Sequence, residues 1–315
     1  MLEMYAAIWR VSAGRQVILI LLSAAIAALA AVPLSYQKDI INELTASEIH
    51  FPGLLRLCAE MMGVILLSLA LKWAAGFGAN LLGEDTTRLL RQRIYGTALE
   101  TGRDSELSTG TVSTMISAEA EELGKFAGSA YSEPVMQIGT MISVVGYIAT
   151  AEPILGVIAL AIMAPQVVLV LSTQRVVNRH VAERVRILRR STSDIVKDDL
   201  DHENADVLGA FDGIYATRRS MFIWKLSTKF AISAITGAGT VGVLLLGGWY
   251  VLKGETDVGT VVAAVMGLSR LQGPTSFLIA FYRQISATRV KYELLKDVAM
   301  PRPGTPMHRD APTGT

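Results

Sequence analysis

The chain of 315 residues is 51% hydrophobic and only 18% charged, with a formal net charge of +1. Soluble domains carry roughly 25% charged residues, so polar groups are too few here to cover a water-facing surface. The near-zero net charge gives no support to a general nucleic-acid binder. A lone cysteine, Cys58, excludes an intrachain disulfide framework and a cysteine-built zinc site, and His50, His180, His202 and His308 lack metal-ligand spacing. Composition therefore describes an integral membrane protein, embedded in the lipid bilayer.

A membrane-spanning helix needs about 20 mostly apolar residues to cross about 30 Å of hydrocarbon. Along the chain, six stretches meet this demand: Val17–Ser35, Leu54–Trp73, Val135–Thr150, Pro153–Thr173, Phe230–Leu252 and Val258–Phe281. Arg10 and Arg15 before the first stretch also suit a secretory leader, but its apolar run exceeds the usual 7–15 residues of such a segment. It reads as a span. The second stretch continues past Trp73 in a mixed pattern that fits one unbroken helix leaving the membrane.

Alternating the spans across the bilayer places 24 Lys and Arg on one side and three, Lys38, Arg56 and Lys253, on the other. Positive charge stays inside, so both termini are expected in the cytoplasm. External connections are short. The internal ones, residues 81–130 and 174–229, are long and read as helical: Arg175, Arg179, Arg186 and Arg190 fall on one helix face. About 25 residues of helix reach roughly 37 Å, so membrane helices are expected to protrude far into the cytoplasm, turn and return.

The last hairpin carries the most telling residues. GGWYVLKGETDVGTVVAAVMGLSRLQGP followed by SATRVKYELL resembles the end of the transmembrane domain of type I ABC exporters, which have an aromatic end of span five, a Gly-x-(Leu/Thr)-(Thr/Asp)-Val-Gly turn, a central Gly-Pro and an Ala-x-x-Arg-x-x-x-Leu-Leu exit. The matching positions are Gly254, Val258, Gly259, Gly273, Pro274, Ala287, Leu294 and Leu295, with Arg289 one place closer to its alanine than usual. LRQRIYGTALE and Thr109-Gly110 resemble the first internal loop, and Ala205–Phe211 resembles the second coupling segment. The resemblance covers about residues 5–297. It departs at Met115 and Glu119, where the family usually has Arg and Asp, and upstream of the second coupling segment, where the usual glycine and lysine are missing.

The resemblance implies an all-α membrane protein with the type I exporter fold: six transmembrane helices with long cytoplasmic helical extensions over 1–297, then a disordered Pro/Gly/Thr-rich tail over 298–315. It also implies a translocation subunit in the plasma (bacterial inner) membrane, dimeric with itself or with a similar chain. No Gly-x-x-x-x-Gly-Lys-(Ser/Thr) phosphate cradle is present, and Gly124-Lys125 is followed by Phe126. The chain is therefore expected to be no enzyme itself and to bind no cofactor, with ATP and Mg2+ held by a separate ATPase subunit. That partner is expected to dock on the two loop tips, near Glu100, Thr109 and Gly110 and near Asn204, Leu208 and Phe211. Phe211 serves either as an apolar anchor or as packing inside the helical stalk.

Arg270 lies about 18 Å beyond Val258 at helical rise, where charge is costly and functional by default. It faces either an aqueous cavity and an anionic substrate group, or a structural partner such as Gln137 or Gln166. Pro165, Gly273 and Pro274 interrupt spans four and six as candidate hinges. Lys72 is expected to snorkel. Small residues at Ser233, Gly237, Ala238, Gly242 and Gly247, with Ser233/Gly237 and Ala238/Gly242 at small-xxx-small spacing, suit helix packing in span five. Asp194–Glu203 reads as a solvated acidic face, and the arginine stripe as a juxtamembrane surface that faces lipid at its start. A secondary transporter on the same scaffold is the alternative, although Glu60, Glu133 and Glu152 all sit close to span ends rather than at mid-membrane. A non-transporting membrane regulator is a further alternative.

Overall fold

The computed structural model describes residues 2–46, 50–101, 109–197 and 205–299. Among them every regular element is helical: α1 (Leu2–Leu29), α2 (Val32–Thr45), α3 (Phe51–Thr101), α4 (Thr109–Thr114), a π-helical turn (Met115–Glu119), α5 (Ala120–Ser129), α6 (Ser132–Ala151), α7 (Pro153–Lys197), α8 (Ala205–Leu252) and α9 (Val258–Ala299). Helices satisfy all their interior backbone groups within the segment, which is what hydrocarbon demands.

Five helical stretches are long and apolar enough to cross a membrane: Leu2–Thr45, Phe51–Leu99, Val112–Ala151, Pro153–Thr173 and Phe211–Leu252. The sixth expected span lies in α9, whose apolar run is diluted by Arg270, Gln272 and the Gly273-Pro274 pair. Helix α3 passes unbroken through Trp73 to Thr101, as its mixed pattern suggested. Helix α9 runs to Ala299, two residues into the segment expected as tail, and residues 300–315 lie outside the described residues.

The first span differs from expectation. Val17–Ser35 is not one helix: α1 closes at Leu29 and α2 restarts at Val32. Pro33 explains the break, since its ring displaces the preceding turn and it has no N–H to donate. A second irregularity sits at Ser12, where the backbone leaves the helical region and the hydroxyl donates to the Ile8 carbonyl at 2.8 Å.

The chain divides into two compact units. The first combines 1–30, 62–143 and 276–315; the second combines 31–61 and 144–275. The boundary therefore falls inside α3, α6 and α9. The first unit is built around Phe126, fully buried, which stacks on Phe281 at 5.8 Å and meets Tyr5 edge-on at 5.9 Å. Met4, Ile8, Ile94, Met115, Leu123, Tyr292 and Leu295 complete this core.

In the second unit α7 and α8 pack as an antiparallel pair. Its register is read from polar bridges: Gln166 Nε2 to Thr236 Oγ1 at 3.1 Å, Thr228 Oγ1 to Thr173 Oγ1 at 2.9 Å, and Ser220 Oγ beside His180 Nε2 at 3.2 Å. Of the expected small-residue stripe, only Gly247 makes a close contact within this chain. Ser233, Gly237 and Ala238 are exposed within this chain, while α8 meets Val261 at Gly247 and Ile162 at Gly239.

The turn from α8 to α9 shows what each residue of GETDVG does. Gly254 adopts φ +73°, a left-handed conformation that glycine takes without strain. Its N–H donates to Val251 O at 2.9 Å and the next N–H to Tyr250 O at 3.0 Å, closing α8 with a Schellman motif. Asp257 caps α9, accepting from Thr260 N at 2.7 Å and Thr260 Oγ1 at 2.9 Å. Gly259 N donates to Asn42 Oδ1 at 2.9 Å, and any Cβ at Gly259 would stand 2.2 Å from Lys38 O. Thus α2 rests directly on the start of α9.

Partial burial pushes the Asp257 carboxyl up. The hydrogen bonds from Asn42 and Thr260 and the Lys38 ammonium, 3.4 Å away, outweigh that and hold it below the usual carboxylate range. Its stabilisation is therefore complete above the usual carboxylate pKa and is lost as pH falls through the depressed value. Asp257→Ala is expected to cost about 1–2 kcal/mol at neutral pH. Unfolding at pH 7 and again under acid should show the difference from wild type shrinking; a gap that stays constant under acid would remove the carboxylate from the account.

Candidate functional site

Each unit carries one of the two expected loop tips. In the first unit, α3 and α5 approach at backbone distance. A Cβ on Gly128 would stand 2.2 Å from Ala79 O, and one on Gly124 would stand 2.7 Å from Gly83 O. Thr87 is buried at this seam, its hydroxyl donating to Gly83 O at 2.9 Å. Gly124, which fails as part of a phosphate cradle, has a packing role.

Between α4 and α5 the chain makes its π-helical turn, and the two departures from the family pattern bound it. Met115 is 6% exposed, its side chain in the core where the family's arginine is replaced. A guanidinium reaches the turn from α3 instead: Arg91 Nε donates to Ile116 O at 3.0 Å and its NH2 pairs with Glu121 at 3.4 Å. Sequence reading missed Arg91. A one-residue expansion of the helix releases carbonyls from their usual partners, and nothing in the spacing shows which distant donor meets them.

The same segment is fastened to the end of α9. Lys291 pairs with Glu122, while Phe281 and Leu295 enter the core around Phe126. Tyr131 Oη donates to Tyr5 O at 2.8 Å, and Trp9 meets Tyr131 at 5.4 Å. Contacts of this segment therefore reach α1, α3 and α9 within the unit. Glu100 lies in the last turn of α3, and Thr109 and Gly110 open α4; their side chains and residues 102–108 are outside the described set.

In the second unit, α7 continues from Thr173 to Lys197 as helix and α8 begins at Ala205, well before Phe230. Asn204 lies outside the described residues, and Leu208 is placed by its backbone in α8. Phe211 is 48% exposed. The acidic run lies largely outside the described residues, as Asp198, Asp199, Asp201 and Glu203 do.

Gln166 is buried and committed to Thr236 of α8. Gln137, in the first unit, donates to Glu133 at 3.5 Å. Arg270 is half-buried in the second-unit part of α9. Pro165 stands exposed within α7, and Pro274 is buried within α9 beside exposed Gly273, with both helices assigned continuously through them. Glu60, weighed for proton coupling, is paired with Arg56 at 2.7 Å.

Five long apolar helical stretches define an integral, multi-pass helical membrane protein. The family model of the ABC transporter transmembrane region matches residues 16–195, more than half of the chain. The chain belongs to that family and is an ABC transporter transmembrane subunit. No curated protein matches it.

Proposed function

We propose that this chain is the translocation subunit of an ATP-driven exporter, powered by a separate ATPase that docks on the two cytoplasmic loop tips. Two copies, or this chain and a similar one, enclose the pathway. ATP and Mg2+ are held by the ATPase partner. The observation that carries this reading is the continuity of α7 and α8, which pass as packed helices from apolar stretches to a tip bearing a half-exposed Phe211. A helical lever transmits displacement only if its tip is clasped, and closure of the ATPases supplies the pull that switches the cavity outward. Arg270, within the membrane, is the first candidate to meet an anionic group of the substrate.

Phe211→Asp is the sharpest test of docking. A buried aromatic anchor is worth about 2 kcal/mol or more in an interface, so affinity for the ATPase subunit is expected to fall about 30-fold or more while the membrane subunit still folds. Co-purification and ATPase-dependent transport in vesicles read this directly. Unchanged association would remove the tip from the interface, and transport persisting without any ATPase would favour the ion-driven alternative.

A further inference from the structure

Helix α2 is held on α9 by polar contacts. Its only buried residues are Pro33 and Leu34, and both adjoin the break at Ala30–Ala31 that separates α2 from α1. From Ser35 to Thr45 no residue is buried as a whole, so apolar packing does not hold this length of helix down. Two polar contacts do. Asn42 Oδ1 accepts from Gly259 N at 2.9 Å, and Lys38 Nζ lies 3.4 Å from Asp257 Oδ2. Gly259 has no room for a Cβ against Lys38 O, so the two backbones touch at this point.

Such a hold is reversible. The first N–H groups of a helix have no acceptor within it. Thr260 N meets the Asp257 carboxylate, whereas Gly259 N depends on Asn42, a residue of another helix. Water replaces Asn42 there once α2 lifts. It also hydrates Lys38 and Asp257, whose side chains are already 29% and 42% exposed. Closure, in turn, leaves polar atoms without partners. Among the described residues, Gln37 Oε1 of α2 and Tyr147 Oη of α6 are buried and make no hydrogen bond. Tyr147 feels the charges of Asp39 and Asp257, which places it at the same contact. Buried unpaired groups cost free energy that hydration returns, so the closed arrangement is opposed from within.

Both ends of α2 permit movement. At one end is the Ala30–Ala31 break, where the first compact unit gives way to the second. At the other, Ala46 is extended, with φ −67° and ψ 153°. The helix between has 14 residues and is about 21 Å long, so a small rotation at the break carries Thr45 well away from α9.

We propose that α2 is a lid on the side expected to face outward, swinging about Ala30–Ala31 and latched shut on α9 by Asn42–Gly259 and Lys38–Asp257. It rests on the translocation reading only for the lid's use, the release of substrate on that side; the movement itself is tested without the ATPase.

The test uses the full chain with C58S, T45C and E255C, spin-labelled at the far end of α2 and on the turn before α9. It is reconstituted in lipid nanodiscs after dilution with unlabelled chain, so that electron paramagnetic resonance reads distances within one chain. N42A and K38Q are each expected to raise the long-distance population about three- to five-fold, the weight of one hydrogen bond or partly exposed ion pair. The double variant should raise it further. K38R, which keeps the ion pair, should match the parent chain, as should K253Q, which removes a cation lying over Trp249. A second label pair, E152C with E255C, leaves α2 unlabelled and should keep its distance in every variant. An unchanged distribution in the double variant would overturn the lid. So would equal spreading of both label pairs, the mark of a unit that loosens throughout. A lid that opens as expected in a chain without ATP-dependent transport would leave this proposal standing and remove the exporter reading instead.

Discussion

Phe126→Ala is expected to destabilise the chain by about 3–5 kcal/mol, the cost of emptying a buried aromatic site. Phe126 is completely buried, stacks on Phe281 and contacts Tyr5, so its removal leaves a cavity lined by three separate stretches of chain. Phe277 in turn stacks on Phe281 at 5.5 Å. The lining cannot collapse easily, because Tyr131 is fixed to the Tyr5 carbonyl and Lys291 to Glu122. Phe126→Leu, which keeps most of the apolar volume, should be much milder. Thermal unfolding in detergent measures both. A melting temperature unchanged by the alanine substitution would show that this cluster is not what holds α5 to α9. On the proposed ATP-driven function, a destabilised variant that still folds is also expected to couple ATPase activity to transport less tightly, since the same contacts join the first loop to α1 and α9.

Much of this architecture is legible in the sequence, and the division between what is and is not legible has a physical basis. Apolar length locates membrane helices because hydrocarbon imposes that length, and α3, α7 and α8 follow it closely. The GETDVG turn is equally readable, since a left-handed position, a cap and a close approach each restrict residue type. Pairings are less visible. A membrane helix is apolar all round, so periodicity does not reveal its packed face. Of the small residues the sequence offers in α8, Gly237 and Gly242 meet nothing within 4 Å while Gly247 does make a contact, and Gly239, outside that stripe, makes the other. The break at Ala30 followed from Pro33, a signal that was present but outweighed by the unbroken apolar run. Arg91 was hidden for a different reason: its partner is a carbonyl, and every residue carries one. For Phe211 the sequence leaves two roles open, because an aromatic ring suits an interface and a packed stalk alike; its half-exposure is not readable from spacing.

The glycine seam between α3 and α5 yields the second large effect, and here the sign of the change is the informative quantity. Alanine normally stabilises a helix relative to glycine by up to about 1 kcal/mol. At Gly96 a Cβ meets nothing within 4 Å, so Gly96→Ala is expected to follow that rule. At Gly128 the added carbon would stand 2.2 Å from a backbone oxygen, Ala79 O, and 3.2 Å from Gly83 N. Backbone yields only if the whole helix shifts, so Gly128→Ala should destabilise by about 1–3 kcal/mol, the usual cost of overpacking. Gly124→Ala meets Thr87 Oγ1 at 2.0 Å and Gly83 O at 2.7 Å. The hydroxyl can rotate away but the carbonyl cannot, and the cost should again be positive. Gly83→Ala, with Gly124 O at 3.2 Å, is expected to be the mildest of the three. Because Gly124 and Gly128 share one seam, their double substitution should cost less than the sum of the singles: the first displacement of α5 already opens space for the second. Unfolding of the four single variants and the double in one detergent tests the order. A stabilised Gly128→Ala would mean that α3 and α5 do not approach at backbone distance, and the path from the first loop to α9 would then have to run through side chains alone.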